Sequence, residues 1–122
     1  MTKKIIAVAG ATGAQGGGLV RSILADPDGE FAVRALTRDP DSPKARALAA
    51  AGAEVVAADI ADRAAVARAF DGAYGAYCVT FFWNHFSPDQ ERAEAHAMAD
   101  AAKQAGVRHV VWSTLEDSRR FV

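Results

Sequence analysis

Cysteine is almost absent: Cys78 stands alone in 122 residues, which excludes an internal disulfide and fits a reducing compartment such as the cytoplasm. Its neighbours Tyr77 and Val79 read as strand, so the thiol is expected to be buried and inert. Long apolar runs are missing too. The run at residues 5–9 stops at Gly10, too short for the core of a secretory signal. No segment nears the ~20 apolar residues that cross a bilayer, so no membrane association is expected. Neither charge sign dominates. The 14 Lys and Arg balance 15 Asp and Glu, a net charge of -1, which removes the electrostatic case for direct nucleic-acid binding. The three histidines, His85, His96 and His109, are scattered without ligand spacing. With the carboxylates Glu91 and Glu94 read as part of an exposed helix face, no metal site is expected. Internal repeats, low-complexity tracts and linkers are also lacking, so residues 1–122 read as one unit.

What is present is an alternation of short β-rich runs with alanine-rich helical stretches. Residues 5–9 read as a buried first strand, followed by a helix from about 16 to 25 that the turn residues 26–29 close. Residues 31–36 form a second strand, and Ser42-Pro43 opens a helix ended by Gly52. Residues 54–57 form a third strand. Asp62 caps the next helix, whose Val66 and Phe70 share one face. A fourth strand covers 74–79, and Ser87-Pro88-Asp89-Gln90 forms a capping box before a long helix ending at Gly106. Residues 107–112 complete the set. Five strands separated by four helices predict an α/β fold, a doubly wound, mostly parallel sheet of the Rossmann type in the order 3-2-1-4-5. The ligand crevice is then expected between strands 1 and 4, where the order reverses. Such folds commonly have about six or more strands. The chain is therefore expected to be truncated relative to the full fold, or to pair through its exposed fifth-strand edge with itself or a regulatory protein.

The glycine-rich turn Gly10-Ala11-Thr12-Gly13-Ala14-Gln15-Gly16 sits between the first strand and first helix. Gly10 permits a sharp turn off the strand, Gly13 a close approach to a ligand, and Gly16 tight packing of helix on strand. The helix N-terminus then offers free amides to a diphosphate. Extending the run to Gly17 and Gly18 costs about 1 kcal/mol each against alanine in a helix, a cost an alanine-rich chain could avoid. At the end of strand 2, Arg38 is suited to a 2′-phosphate, which favours NADP(H) over NAD(H), although Asp39 follows it directly.

With those residues placed, the chain resembles the NmrA-like family of atypical short-chain dehydrogenase/reductases, which includes transcriptional regulators and HSCARG-type redox sensors. The resembling stretches are residues 8–17, 33–40, 52–56, 71–74, 79–83 and 109–116, with Ala14-Gln15-Gly16 the most specific piece. The likeness corresponds to the N-terminal half of a usual member. It implies that Thr12, Gly13, Ala14, Gln15 and Gly16 cradle a pyrophosphate and that Thr37 and Arg38 hold the adenosine ribose phosphate. It further implies that Asp59 and Ile60 flank the adenine and that Thr80 lies near the nicotinamide ribose. Three departures from the pattern weigh against turnover but not against binding. Phe81 replaces a polar residue, Ala93 occupies the place of a lysine, and Asp41-Ser42-Pro43 replaces basic residues, with Lys44 the nearest cation. Neither Tyr74 nor Tyr77 has a lysine four residues on, so the superfamily's Tyr-x-x-x-Lys pair is missing and catalytic residues stay unassigned. Ser113 occupies the place of a substrate-polarising serine, and alone it reads as a strand-end hydroxyl. The aromatics Phe81, Phe82, Trp83 and Phe86 could line the nicotinamide pocket, dock a further lobe or plug the loop. The expected function is that of an NADP(H)-binding redox sensor or regulator; the alternative is the cofactor-binding part of an NAD(P)H-dependent reductase.

Overall fold

The computed structural model describes residues 3–26, 28–80 and 87–113. Nine elements alternate along them: β1 (Lys4–Val8), α1 (Ala14–Leu24), β2 (Phe31–Thr37), α2 (Pro43–Ala50), β3 (Glu54–Ala57), α3 (Arg63–Phe70), β4 (Gly75–Cys78), α4 (Pro88–Ala105) and β5 (His109–Trp112). The strands form one parallel sheet in the order β3-β2-β1-β4-β5, as the alternation predicts. Ser42, Asp62 and Ser87 each cap a helix, their side-chain oxygens accepting from the amides of Ala45, Ala65 and Gln90.

Some boundaries differ from the sequence reading, for local hydrogen-bonding reasons. Helix α1 begins at Ala14, because Gly13 is its N-cap and the Gly17 amide already donates to Gly13 O at 2.9 Å. Strand β5 begins only at His109. The Val107 amide instead closes the end of α4 on Ala102 O at 3.0 Å.

Because strand side chains alternate, each strand feeds two cores. Val8, Val33 and Ala35 point to one face, where Val20 and Leu48 of α1 and α2 cover them. Ala7, Leu36 and Cys78 point to the other, against Val66 and Phe70 of α3 and Met98 of α4. At the outer strand Val111 stays 60% exposed.

Arg34 ties β2 to its neighbours. Its Nε donates to Glu54 Oε1 on β3 at 3.0 Å, and Nη1 donates to the carbonyls of Ala69 and Asp71 at 2.8 and 2.6 Å. Those carbonyls belong to the C-terminal end of α3, where a cation is favoured. Arg34→Met should cost about 1.5–3 kcal/mol in urea unfolding, the worth of charge-assisted bonds in a partly buried place. Removing the exposed partner by Glu54→Gln should cost under about 1 kcal/mol. Equal losses would show that Arg34 acts only through its surface ion pair.

Cys78 is fully buried, and desolvation pushes its thiol pKa up from 9.0 to about 12. The folded state holds this proton more tightly than the unfolded state does. The stability from this group is therefore complete below pH 9 and declines as pH rises toward 12. A thiol reagent at pH 8 should leave the native protein unmodified and react fully once urea unfolds it; fast labelling of the native protein would contradict this burial.

Candidate functional site

The C-terminal ends of β1, β2 and β3, with the first turns of α4, enclose a cleft of about 410 Å³. One wall is the glycine turn, through Gly10, Thr12 and Gly13. The tip of β2 adds Leu36, Thr37, Arg38, Asp39 and Ser42, and the tip of β3 adds Ala58, Asp59, Ile60 and Ala61. Gln90 and Glu94 of α4 close it.

The glycine turn is shaped by two contacts. Gly10 takes a left-handed φ of 64° where the chain leaves the strand, and its carbonyl accepts from the Gly13 amide at 2.9 Å. A Cβ on Gly16 would overlap that same Gly10 carbonyl, so α1 can lie this close to the turn only with glycine there. The other three helices receive a side-chain cap, whereas α1 starts at Gly13 with none. Among the described residues the first amides of α1, at the positive end of the helix dipole, thus have no side-chain cap.

The strand tips are ordered by their own side chains. Thr37 Oγ1 accepts from the Asp39 amide at 3.2 Å, and Asp39 Oδ1 accepts from the Asp41 amide at 3.0 Å. Asp59 Oδ1 accepts from the Ala61 amide at 2.9 Å, and Ile60 is buried beneath. Arg38 is exposed at the rim, with no hydrogen bond or ion pair among the described residues.

Of the residues singled out in the sequence, Gly10, Thr12, Gly13, Thr37, Arg38, Asp59 and Ile60 come together around this cleft. The others have different places. Ala14 opens α1, and Gly16 packs under the turn. Gln15 Oε1 accepts from Tyr77 Oη at 2.7 Å and from Ser113 Oγ at 2.6 Å, tying α1 to β4 and to the end of β5. Thr80 Oγ1 donates to Glu91 Oε1 at 2.7 Å and so anchors the start of α4. His85 and the aromatics Phe81, Phe82, Trp83 and Phe86 lie outside the described residues. His96 and His109 are exposed, and no group of three or more potential ligands is arranged for a metal among the described residues.

The reading of Glu91 and Glu94 as an exposed face is corrected. Glu94 is only 4% exposed, and Glu91 is half-buried against Thr80. Glu94 stands three and four residues before Ala97 and Met98, on the stripe that continues to Ala101 and Ala102 and packs on the core. That spacing was readable in the sequence; the charge masked it.

Behind Thr12 and Gly13 a second groove of about 410 Å³ runs between α1 and α2, flanked by Arg21 and Lys44. The Arg21 guanidinium folds back over α1, so a Cβ on Gly17 would come within 3.2 Å of it, while one on Gly18 would meet nothing nearer than 3.9 Å. The three adjacent glycines should therefore respond differently. Gly16→Ala should lower stability by about 1–3 kcal/mol through overpacking, whereas Gly18→Ala should raise it by about 1 kcal/mol through helix propensity. Thermal unfolding of both variants checks the turn, and a tolerated Gly16→Ala would refute the close approach.

Residues 2–121 match the NmrA-like family. The chain is similar to the NmrA-like family domain-containing oxidoreductase FrzB of Cladobotryum sp., with 44% identity over 114 residues covering 90% of this chain and 33% of that protein. Among solved structures it resembles NmrA, a negative transcriptional regulator, in complex with NADP, with a TM-score of 0.84 and 28% identity over 100% of this chain and 36% of that one. NmrA in complex with NAD superposes equally well, with a TM-score of 0.84 and 28% identity over the same shares. The chain thus spans about a third of the length of the relatives it matches.

Proposed function

The chain belongs to the NmrA-like family, and from that premise we propose that it binds a nicotinamide dinucleotide and acts as a redox sensor or regulator with little or no catalysis. The observation that carries this reading is the turn in which Gly16 has no room for a Cβ and, among the described residues, the first amides of α1 have no side-chain cap. Such a cradle fits a pyrophosphate. A diphosphate at this end would take those amides as donors and compensate the helix dipole. The adenosine half would run along the tips of β2 and β3, past Thr37 and Arg38 toward Asp59 and Ile60. The nicotinamide half would point toward β4, with Thr80 and Gln15 acting as positioning residues through Glu91, Tyr77 and Ser113. When bound, the cofactor would supply hydride chemistry; the chain's part is to hold and orient it.

NADP(H) is the favoured form. Among the described residues Arg38 has no ion-pair partner at the β2 tip, while Asp39 is turned into its own loop by the Asp41 amide. Lys44 and Arg21 flank the groove on the other side of Thr12. A sensor follows from linkage: whichever redox form binds one conformation better shifts the population toward it, and a protein partner reads that conformation.

The reductase alternative is favoured by one finding, that relatives such as FrzB are named oxidoreductases. The described residues offer Tyr77 and Ser113, joined through Gln15, as hydroxyls near the end of β4 and β5. Steady NADPH oxidation with quinone or carbonyl acceptors would select the reductase; binding without turnover selects the sensor.

Titration with NADPH, NADP+ and NADH, followed by tryptophan fluorescence, tests the reading. NADPH should bind at submillimolar concentration and more tightly than NADH. Arg38→Asp should weaken NADPH about tenfold or more, the worth of a charge-assisted hydrogen bond, and spare NADH. Absence of binding by every dinucleotide would refute the proposal, and an unchanged NADPH/NADH ratio would remove Arg38 from it.

A further inference from the structure

We propose that the groove between α1 and α2 is a second binding site, for a small amphipathic anion: a carboxylate carried on a short apolar body. The groove shares only Thr12 and Gly13 with the dinucleotide cleft and holds about 410 Å³, within the range of small-molecule sites. Its floor is apolar. Ala11 is fully buried and Leu48 is 7% exposed, with Ala47 and Ala51 along the α2 side. From Lys44 to Ala51 the wall rises about 10 Å. Just past Ala51 the two helices close up, since a Cβ on Gly52 would lie 3.8 Å from Leu24 Cδ2 on α1. The apolar body is therefore short.

The charges at this groove have one sign. Arg21 and Lys44 line it and no carboxylate does, whereas Arg38 in the cleft stands beside Asp39, Asp59 and Glu94. Among the described residues neither the Arg21 nor the Lys44 side chain has a hydrogen bond or ion pair. Helix electrostatics rewards neither position. Lys44 is in the first turn of α2, where a cation opposes the helix dipole. Arg21 belongs to the last turn of α1, where a cation is favoured, but its guanidinium lies back toward the helix start.

Gly17 makes that placement possible. A Cβ there would come within 3.2 Å of both Arg21 Nη1 and the Ala11 carbonyl oxygen. The glycine thus leaves α1 bare along the groove and lets the cation lie over it, a role separate from the close approach at Gly16. An anionic head entering the groove would meet both cations, and the planar fork of arginine suits a carboxylate. The body would lie on Leu48 and Ala51.

The probes are octanoate, octanol and inorganic phosphate, titrated into the isotopically labelled chain and followed by amide spectra and calorimetry. Octanoate should give saturable shifts at residues 17–21 and 44–51. Octanol lacks the charge and phosphate lacks the body, so each should bind about fivefold or more weakly. Arg21→Gln and Lys44→Gln should each weaken octanoate about threefold to fivefold, as expected for exposed cations. Ala47→Phe, which fills the groove from an exposed helix position, should abolish octanoate binding; Ala51→Leu replaces it should circular dichroism show that it does not fold. Absence of octanoate shifts, octanol or phosphate binding as tightly, unchanged affinity in both charge variants, or octanoate binding retained in the folded filled variant would each overturn the site. Displacement of octanoate by NADPH but not by NADH would assign the two cations to a 2′-phosphate and overturn it as well. The site does not rest on the dinucleotide reading: octanoate binding without NADPH binding would support the groove and refute that reading alone.

Discussion

The packing of Gly16 against the carbonyl of Gly10 sets the position of nearly everything else around the cleft. It seats the start of α1, which has no side-chain cap among the described residues, on the end of β1. It also places Gln15 where a single carbonyl oxygen can receive both the Tyr77 and Ser113 hydroxyls. A larger residue at position 16 would push the helix outward, lengthen those bonds and open the cradle together. Binding geometry and sheet-end geometry are thus one constraint.

The opposite face supplies rigidity at the other end of the cleft. Small residues along α4, Ala97, Ala101 and Ala102, let that helix lie close on the core beside Phe70 and Val66 of α3. Arg34 then satisfies the carbonyls at the end of α3 and reaches Glu54 across β2 and β3. The tips of β2 and β3 therefore project from a well-tied frame, and the cleft between them and α4 has a defined width. Its polar groups are mixed in sign: Arg38 stands against Asp39, Asp59 and Glu94. Because Asp39 and Asp59 each accept an amide of their own loop, the cation at the rim is less opposed than a charge count suggests.

Much of this was legible in the residues themselves. The strand order, the three capped helices and the glycine turn follow from periodicity and turn chemistry, which act locally. Within the glycine run, however, sequence could not separate Gly16, which a neighbouring carbonyl forbids from growing, from Gly18, where a Cβ would make only an ordinary contact at 3.9 Å with the flexible end of Arg21. Gln15 and Thr80 were expected at the dinucleotide site, and the hydrogen bonds they make were not legible, because Tyr77, Ser113 and Glu91 come from other elements. Glu94 was misread outright. Its charge suggested solvent, while its spacing from Ala97 and Met98 placed it on the buried stripe, and the tertiary contact between α4 and the core decided the matter.

The central claim is that the uncapped start of α1 is a dinucleotide cradle. The most direct measurement is the backbone amide spectrum of the isotopically labelled protein during titration with NADPH. The cradle predicts saturable shifts at the amides of residues 13–17, accompanied by those of Arg38 and Asp59 at the adenosine end. Shifts confined to other parts of the fold, or none at saturating NADPH, would contradict it.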